Sequence, residues 1–367
     1  MVLPSAPAAA ATPFKHPGVL VSKAKLDRAR KNIKKEPFKS AFAKMKKHQF
    51  AKLTYKAKPY ATVECGPYDH PNIGCSQELY DATAAYTQAL MWYITKNPKY
   101  GYKSMQIMDA WSAKLKQHKN ANSPLQQGWA AIDWAKAGEI MRYSVARKYW
   151  PHQKRFATML RTKYLPGVVN GIGGTYNGNW ELVMADATIS IAVYLDDHKS
   201  YDKAVALWRK RVPAHFYLKS DGAVPHQPPG GPVDITKFWN TTEFASYNGI
   251  SQEFCRDLKH TSWGLSAATQ LAETARIQGG HLFTEQAKRL TASMEFAAKW
   301  QLANYDHKAI PANLCGGRLH LYMRPVLEVG YAAYKGGHSL PYTRKLMLRQ
   351  RPAGVSLFQS WETLTNS

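Results

Sequence analysis

Helical periodicity over most of the chain, Gly/Pro-rich joints between the periodic segments, and scarce strand-like alternation predict an all-α fold. The expected arrangement is a series of helical hairpins closed into an α/α toroid, an incomplete barrel of inner and outer helices with a groove at one end. At 367 residues and 45% hydrophobic composition, the chain can fill one such core. No repeat of fixed period is visible, which disfavours an open solenoid.

Residues 1–14, MVLPSAPAAAATPF, are Ala/Pro-rich and are expected to form a flexible segment ahead of a single domain over 15–367. They lack the basic start and long apolar run of an intact export signal and read as a mature N-terminus behind an added Met. Residues 16–35 begin with a Pro/Gly turn. A helix follows with Leu26, Ala29 and Ile33 on one side and lysine and arginine elsewhere. That basic side reads either as a solvated face or as one wall of a polyanion groove. Over 76–96, Leu79, Ala82, Tyr86, Leu90 and Tyr93 recur at helical spacing. Met105, Met108, Trp111 and Leu115 do the same over 102–118. Further helices are expected at 125–149, 152–165, 180–197, 200–211, 253–278, 283–303 and 321–335, with a short strand-like piece at 215–219. The Pro/Gly-rich loop 220–240 is the longest interruption, and loops of that length inside a compact domain usually serve a function.

Lysine and arginine number 50 against 25 acids, giving a formal net charge of +25. Such a field attracts polyanions. With 11 Trp and 21 Tyr, stacking on sugar rings is available as well as core filling. No apolar run is long enough to cross a membrane as a helix. Cys65 and Cys75 bracket a loop that a disulfide could close, whereas Cys255 and Cys315 are distant in sequence. CxxC spacing is absent, so no metal site is expected, and the chain is read as secreted or periplasmic.

Three segments carry candidate chemistry. SQEFCRDLKHTSWGL (251–265) reads as a helix that sets Glu253, Arg256 (or Asp257) and His260 on one face. GIGGTYNGNWELVMAD (171–186) runs a Gly/Asn turn into a helix, with Asn177, Asn179 and Trp180 at an end that favours anions. CGGRLHLYMRPVLEVGYAAY (315–334) alternates Arg318, His320, Tyr322 and Arg324 with apolar residues. Two arginines beside Tyr322 would hold a carboxylate and lower the phenol pKa. Gln127 and Trp129 of LQQGWAA and His226 of the long loop complete the substrate-binding candidates. GxSxG, HExxH, P-loop and GxGxxG signatures are absent, and no two-carboxylate glycosidase pair stands out. Asn, His, Arg and Tyr in a very basic protein suit β-elimination from a uronate. Its carboxylate must be neutralised, its C5 proton removed, and its leaving oxygen protonated.

These segments resemble the alginate lyase superfamily of α/α-toroid polysaccharide lyases, with polysaccharide lyase family 38 as the most similar branch. The resemblance is carried by NGNWELVMADA and SQEFCRDLKHTSWGL, with HPGVLVSKAKL, AYTQALMWYIT, LQQGWAA and WETLT in support. It implies a lyase without metal or cofactor that leaves 4,5-unsaturated uronate ends on alginate or glucuronan. Asn179 would neutralise the carboxylate. Glu253 and His260 occupy positions seven apart where family 5 relatives carry Arg and Tyr. Tyr322, near Arg318, is the acid/base expected from later in the chain, with Tyr247 as the reserve. Glu253 is expected to orient His260. The partner is an anionic polysaccharide rather than nucleic acid or membrane, and the protein is expected to act as a monomer. A non-catalytic binder of acidic polysaccharide and a toroid glycoside hydrolase are the alternatives.

Overall fold

The computed structural model of the chain describes residues 12–144, 149–171, 176 and 178–367. Most of the N-terminal segment expected to be flexible, residues 1–11, lies outside the described residues. The helices, in order, are α1 (Lys23–Asn32), α2 (Phe38–Lys47), α3 (Cys75–Thr95), α4 (Pro98–Lys114), α5 (Ser123–Ser144), α6 (Gln153–Met159), α7 (Leu165–Asn170) and α8 (Gly178–Leu195). They continue with α9 (His198–Arg211), α10 (Ile235–Trp239), α11 (Leu258–Ile277), α12 (Leu282–Glu285), α13 (Ala287–Tyr305), α14 (Glu328–Tyr334), α15 (Pro341–Gln350) and α16 (Glu362–Asn366). Among the described residues, the strand content is two small sheets, of three and two short strands.

The long helices α3, α5, α8 and α11 form the inner ring of an α/α toroid, each packed along the next. They are buried around most of their circumference, because their Ala, Gly, Ser and Thr positions allow close approach on several sides. Neighbours run parallel. Near one end Gln126 of α5 bonds Cys75 and Glu78 at the start of α3, while Asp133 further along α5 accepts from Thr83 further along α3. Gly128 abuts Val183, and Gly138 abuts Tyr194, so α5 and α8 advance together. The N-termini of the inner helices therefore gather at one end, where their dipoles sum to a positive field.

The other end is sealed by the start of the chain. Phe14 stacks on His198. His16 bridges Glu139 and Asp196 at 3.0 Å each, at the C-terminal ends of α5 and α8. The Leu20 N–H donates to Thr274, and Lys25 pairs with Glu273 at 2.5 Å near the end of α11. Cations and N–H donors meet helix C-termini here, as the dipoles require. The basic helix α1 thus lies at the end opposite the gathered N-termini and is not a wall of a groove there.

Three boundaries differ from expectation. The helix anticipated over 253–278 begins at Leu258, because the Asp257 side chain caps it by accepting the His260 N–H. The helix anticipated over 321–335 begins only at Glu328. Residues 215–219 make a single antiparallel bridge, Phe216 to Ser251, in place of a strand. Both cysteine pairs close as disulfides, Cys65–Cys75 and Cys255–Cys315.

Candidate active site

At the end where the inner-helix N-termini meet, the turn 251–257 delivers side chains to two helices at once. Gln252 accepts from the Gly178 N–H at 2.7 Å, and Glu253 accepts from the Asn179 N–H at 3.2 Å. The anion at the start of α8 is therefore the protein's own carboxylate. Glu253 Oε2 also accepts from Asn179 Nδ2 at 2.6 Å, and its Oε1 from Arg256 at 2.9 Å. Glu253 and Asn179 are fully buried. A carboxylate only accepts, so Nδ2 must face Glu253 and Oδ1 is left without a partner.

Glu253 does not orient His260. With the helix beginning at Leu258, the two residues no longer share a helical face. Asp257 takes that place, its Oδ2 lying 2.7 Å from His260 Nδ1. Burial pushes the Asp257 pKa up, but hydrogen bonds from the His260 ring and backbone outweigh this and hold it below the usual carboxylate value. An ionised Asp257 fixes the proton on Nδ1 and leaves Nε2 as the free ring position. The His260 ring meets Trp263 edge-on at 4.6 Å, and Trp263 meets Trp129 of α5 at 5.3 Å. Both indole N–H groups are buried without a protein partner.

Behind this layer lies His215, fully buried between two glycines. A Cβ on Gly178 would fall 1.8 Å from its Nδ1, and one on Gly264 would fall 2.4 Å from its Nε2. Burial, and then the Arg211 charge, push its pKa down to about 3, so the ring is neutral. Arg211 bridges Glu181 at 3.0 Å and donates to Gln252. This buried layer ties α8, α9 and the turn before α11 into one unit.

The candidates from later in the chain reach the same end by their backbone. The Leu258 N–H donates to His320 O, and the Arg324 N–H to Ser262 Oγ. The segment therefore crosses the first turn of α11, and Cys255–Cys315 ties its start to the turn before α11. Arg318, Tyr322 and Arg324 are exposed. The Tyr322 ring stacks on Tyr305 of the outer helix α13 at 5.2 Å, and neither arginine hydrogen-bonds to it. Tyr247 is half-buried, donates to Asn313, and has its pKa raised by burial and by Glu243. Trp180 stacks on Tyr176 at 5.2 Å. Gln127 is buried against Gly167, and His226 is exposed beside Asp221. Asn177 lies outside the described residues.

His215, Gln252, Arg211 and Tyr68 were not picked out by sequence reasoning, and Asp257 was named only as an alternative to Arg256 on the helix face. Tyr68, on the loop closed by Cys65–Cys75, is 91% exposed and faces Lys237, Phe238 and Arg256 across an open cleft. Gly264 inside a strongly helical segment was the available signal for His215, since such a glycine usually marks a close approach. Among the described residues, no group of three or more His, Cys, Asp or Glu side chains could hold a metal ion. No helix there is long and apolar enough to cross a membrane.

A toroid with a positive end, an acid-held histidine and edge-packed indoles has the makings of a lyase for acidic polysaccharide. Residues 22–308 match the family model for alginate lyase, and the chain belongs to that family. It is thus a polysaccharide lyase, and the hydrolase and binder alternatives fall away. The structure is similar to alginate lyase A1-III from Sphingomonas species A1, with a TM-score of 0.62 and 13% identity over 97% of this chain and 98% of that one. A histidine variant of A1-III complexed with a tetrasaccharide gives 0.61 and 14%, covering 95% of each chain. An alginate lyase from Bacteroides ovatus gives 0.53 and 12%, covering 96% of this chain and 99% of that one. No curated protein sequence matches the chain.

Proposed function

We propose that the protein cleaves a polyuronate, alginate or glucuronan, by β-elimination, as a secreted or periplasmic enzyme with one catalytic domain over 15–367. The observation that carries this reading is the Asp257–His260 pair on the first turn of α11, at the positive end of the toroid. His260 Nε2 takes the C5 proton of the bound uronate. The electron pair forms the C4=C5 double bond, the C4–O bond breaks, and the leaving oxygen receives a proton. Arg256, held by Glu253, faces the cleft and offsets the carboxylate charge as it develops. The buried Asn179 fixes Glu253 and acts through it. Trp129, Trp180 and Trp263 supply faces and N–H donors for sugar rings. Arg318, Arg324 and His226 add outlying cationic or polar contacts along the polymer.

Tyr322 is the proton donor in this proposal. Its segment is bonded to the start of α11 on either side, through Leu258 N–H to His320 O and Arg324 N–H to Ser262 Oγ. Tyr247 is the reserve. The test is to incubate the protein with polymannuronate and glucuronan and follow the ultraviolet absorbance of the unsaturated product. His260→Ala is expected to lower kcat by about 10²–10⁴. Tyr322→Phe is expected to do the same while sparing binding. Unchanged elimination in Tyr322→Phe moves the role to Tyr247, and in His260→Ala it overturns the proposal.

A further inference from the structure

A second concave site lies on the flank of the toroid, away from the groove. It is formed by the end of α14, the loop that follows, and one face of α15. Gly330 of α14 packs at Thr269 of α11, roughly 14 Å further along the helix axis than His260. Tyr331 and Lys335 lie beyond that level, and the Tyr334 hydroxyl reaches Phe283, past the end of α11.

The lining joins Lys335, His338, Arg344 and Lys345 to Tyr331 and Leu348, and it contains no acid. The cations are not spent on neighbours. By contrast, Arg349 of α15 bridges Asp306 at 2.5 Å, and Arg351 just past its end bridges Glu328 at 2.6 Å. Lys335 and Arg344 make no ion pair with the described residues, and Lys345 only adds to the field on an Asp306 already taken by Arg349. Leu348 is 45% exposed in the middle of this charge. Cations around a small apolar floor suit a pyranose ring bearing one carboxylate, whose ring face needs an apolar contact and whose charge needs a cation.

We propose that this flank site is a non-catalytic subsite that holds a remote stretch of the same acidic polysaccharide. The ligand class rests on the function proposed above. A long polymer gripped here is kept at high local concentration near the groove, whereas a short oligosaccharide cannot reach both places.

The test compares Lys335→Ser/Arg344→Ser/Lys345→Ser with a control, Lys39→Ser/Lys46→Ser/Lys47→Ser, which removes the same charge from α2. The flank variant is expected to raise KM for polymeric substrate about tenfold, as loss of three exposed charge contacts would. Its kcat, and its KM for a tetrasaccharide, should stay unchanged, and the control should stay close to wild type. Equal shifts in both triple variants would show only a net-charge effect and overturn the proposal. In a His260→Ala background, retardation in gels containing polyuronate reads the site without turnover, so it stands even if no polyuronate is cleaved. Retardation lost for DNA but kept for polyuronate would assign the flank to nucleic acid and overturn it as well.

Discussion

Asp257 carries two duties with one carboxylate. Its Oδ1 accepts the His260 N–H at 2.8 Å and starts the helix, while its Oδ2 holds the His260 ring at 2.7 Å. The substitution Asp257→Asn separates the duties. Asparagine caps a helix about as well as aspartate, so stability should change by no more than about 0.5 kcal/mol. Its amide can donate to Nδ1, however, and that places the ring proton on Nε2, where the proposed base needs a lone pair. We expect kcat on the preferred polyuronate to fall by about 10²-fold or more, with the acid limb of the pH–rate profile displaced and the denaturation midpoint nearly unchanged. Asp257→Ala should lose both duties and cost about 1 kcal/mol of stability as well. A full-speed Asp257→Asn enzyme would mean that the tautomer is irrelevant and that His260 acts only by its position.

Helices α8 and α11 are spaced by an imidazole, not by aliphatic side chains. Replacing a helical glycine by alanine ordinarily stabilises a helix by up to about 1 kcal/mol. At Gly264 the new methyl would sit 2.4 Å from His215 Nε2, and the ring cannot retreat because Gly178 confines its other edge. We therefore expect Gly264→Ala to destabilise the protein by about 1–3 kcal/mol in urea unfolding. Adding His215→Ala should recover part of that loss, and additive losses in the double variant would disprove the wedge. This layer also shows what could be read beforehand. Helices such as α3 and α4 were legible because Leu90, Met108 and their neighbours repeat at helical spacing and the joints are marked by Gly and Pro. Glu253 and His260 stood out as candidates because charged residues interrupt an otherwise apolar pattern. Their relationship was not. Periodicity runs on through 253–257, and only the side-chain bond from Asp257 ends the helix there. His215 stood alone in the sequence, since its meaning depends on two distant glycines, Gly178 and Gly264, that the fold brings to its two edges.

Across the whole molecule, the axis of the toroid encloses more acid than base. Lys136 lies 3.2 Å from Asp133 and donates to Phe358 O at 2.9 Å, and it is the cation that acts on Asp186 and Glu362. Gln270 donates to Glu362 at 2.7 Å. Burial pushes Asp133 and Asp186 up and raises Glu362 to about 7. One buried cation cannot hold three buried carboxylates ionised, so part of the set stays protonated. For Glu362 the sign follows directly. Its folded pKa lies above its unfolded value of about 4.5, so between those values the folded state binds the extra proton. The stability this gives is fully present below about pH 4.5, declines as pH rises, and is lost once pH passes about 7. Over about pH 5 to 8 the loss should be on the order of 2–3 kcal/mol, since each unit is worth about 1.4 kcal/mol. Glu362→Gln keeps an oxygen for Gln270 and removes the titration. The quantity to measure is the difference in unfolding free energy between this variant and wild type at about pH 5, 6, 7 and 8, because other titrating groups cancel in it. That difference should move in favour of the variant up to about pH 7 and then level off. Parallel curves over the whole range would mean that Glu362 is ionised throughout, with Lys136 compensating it alone.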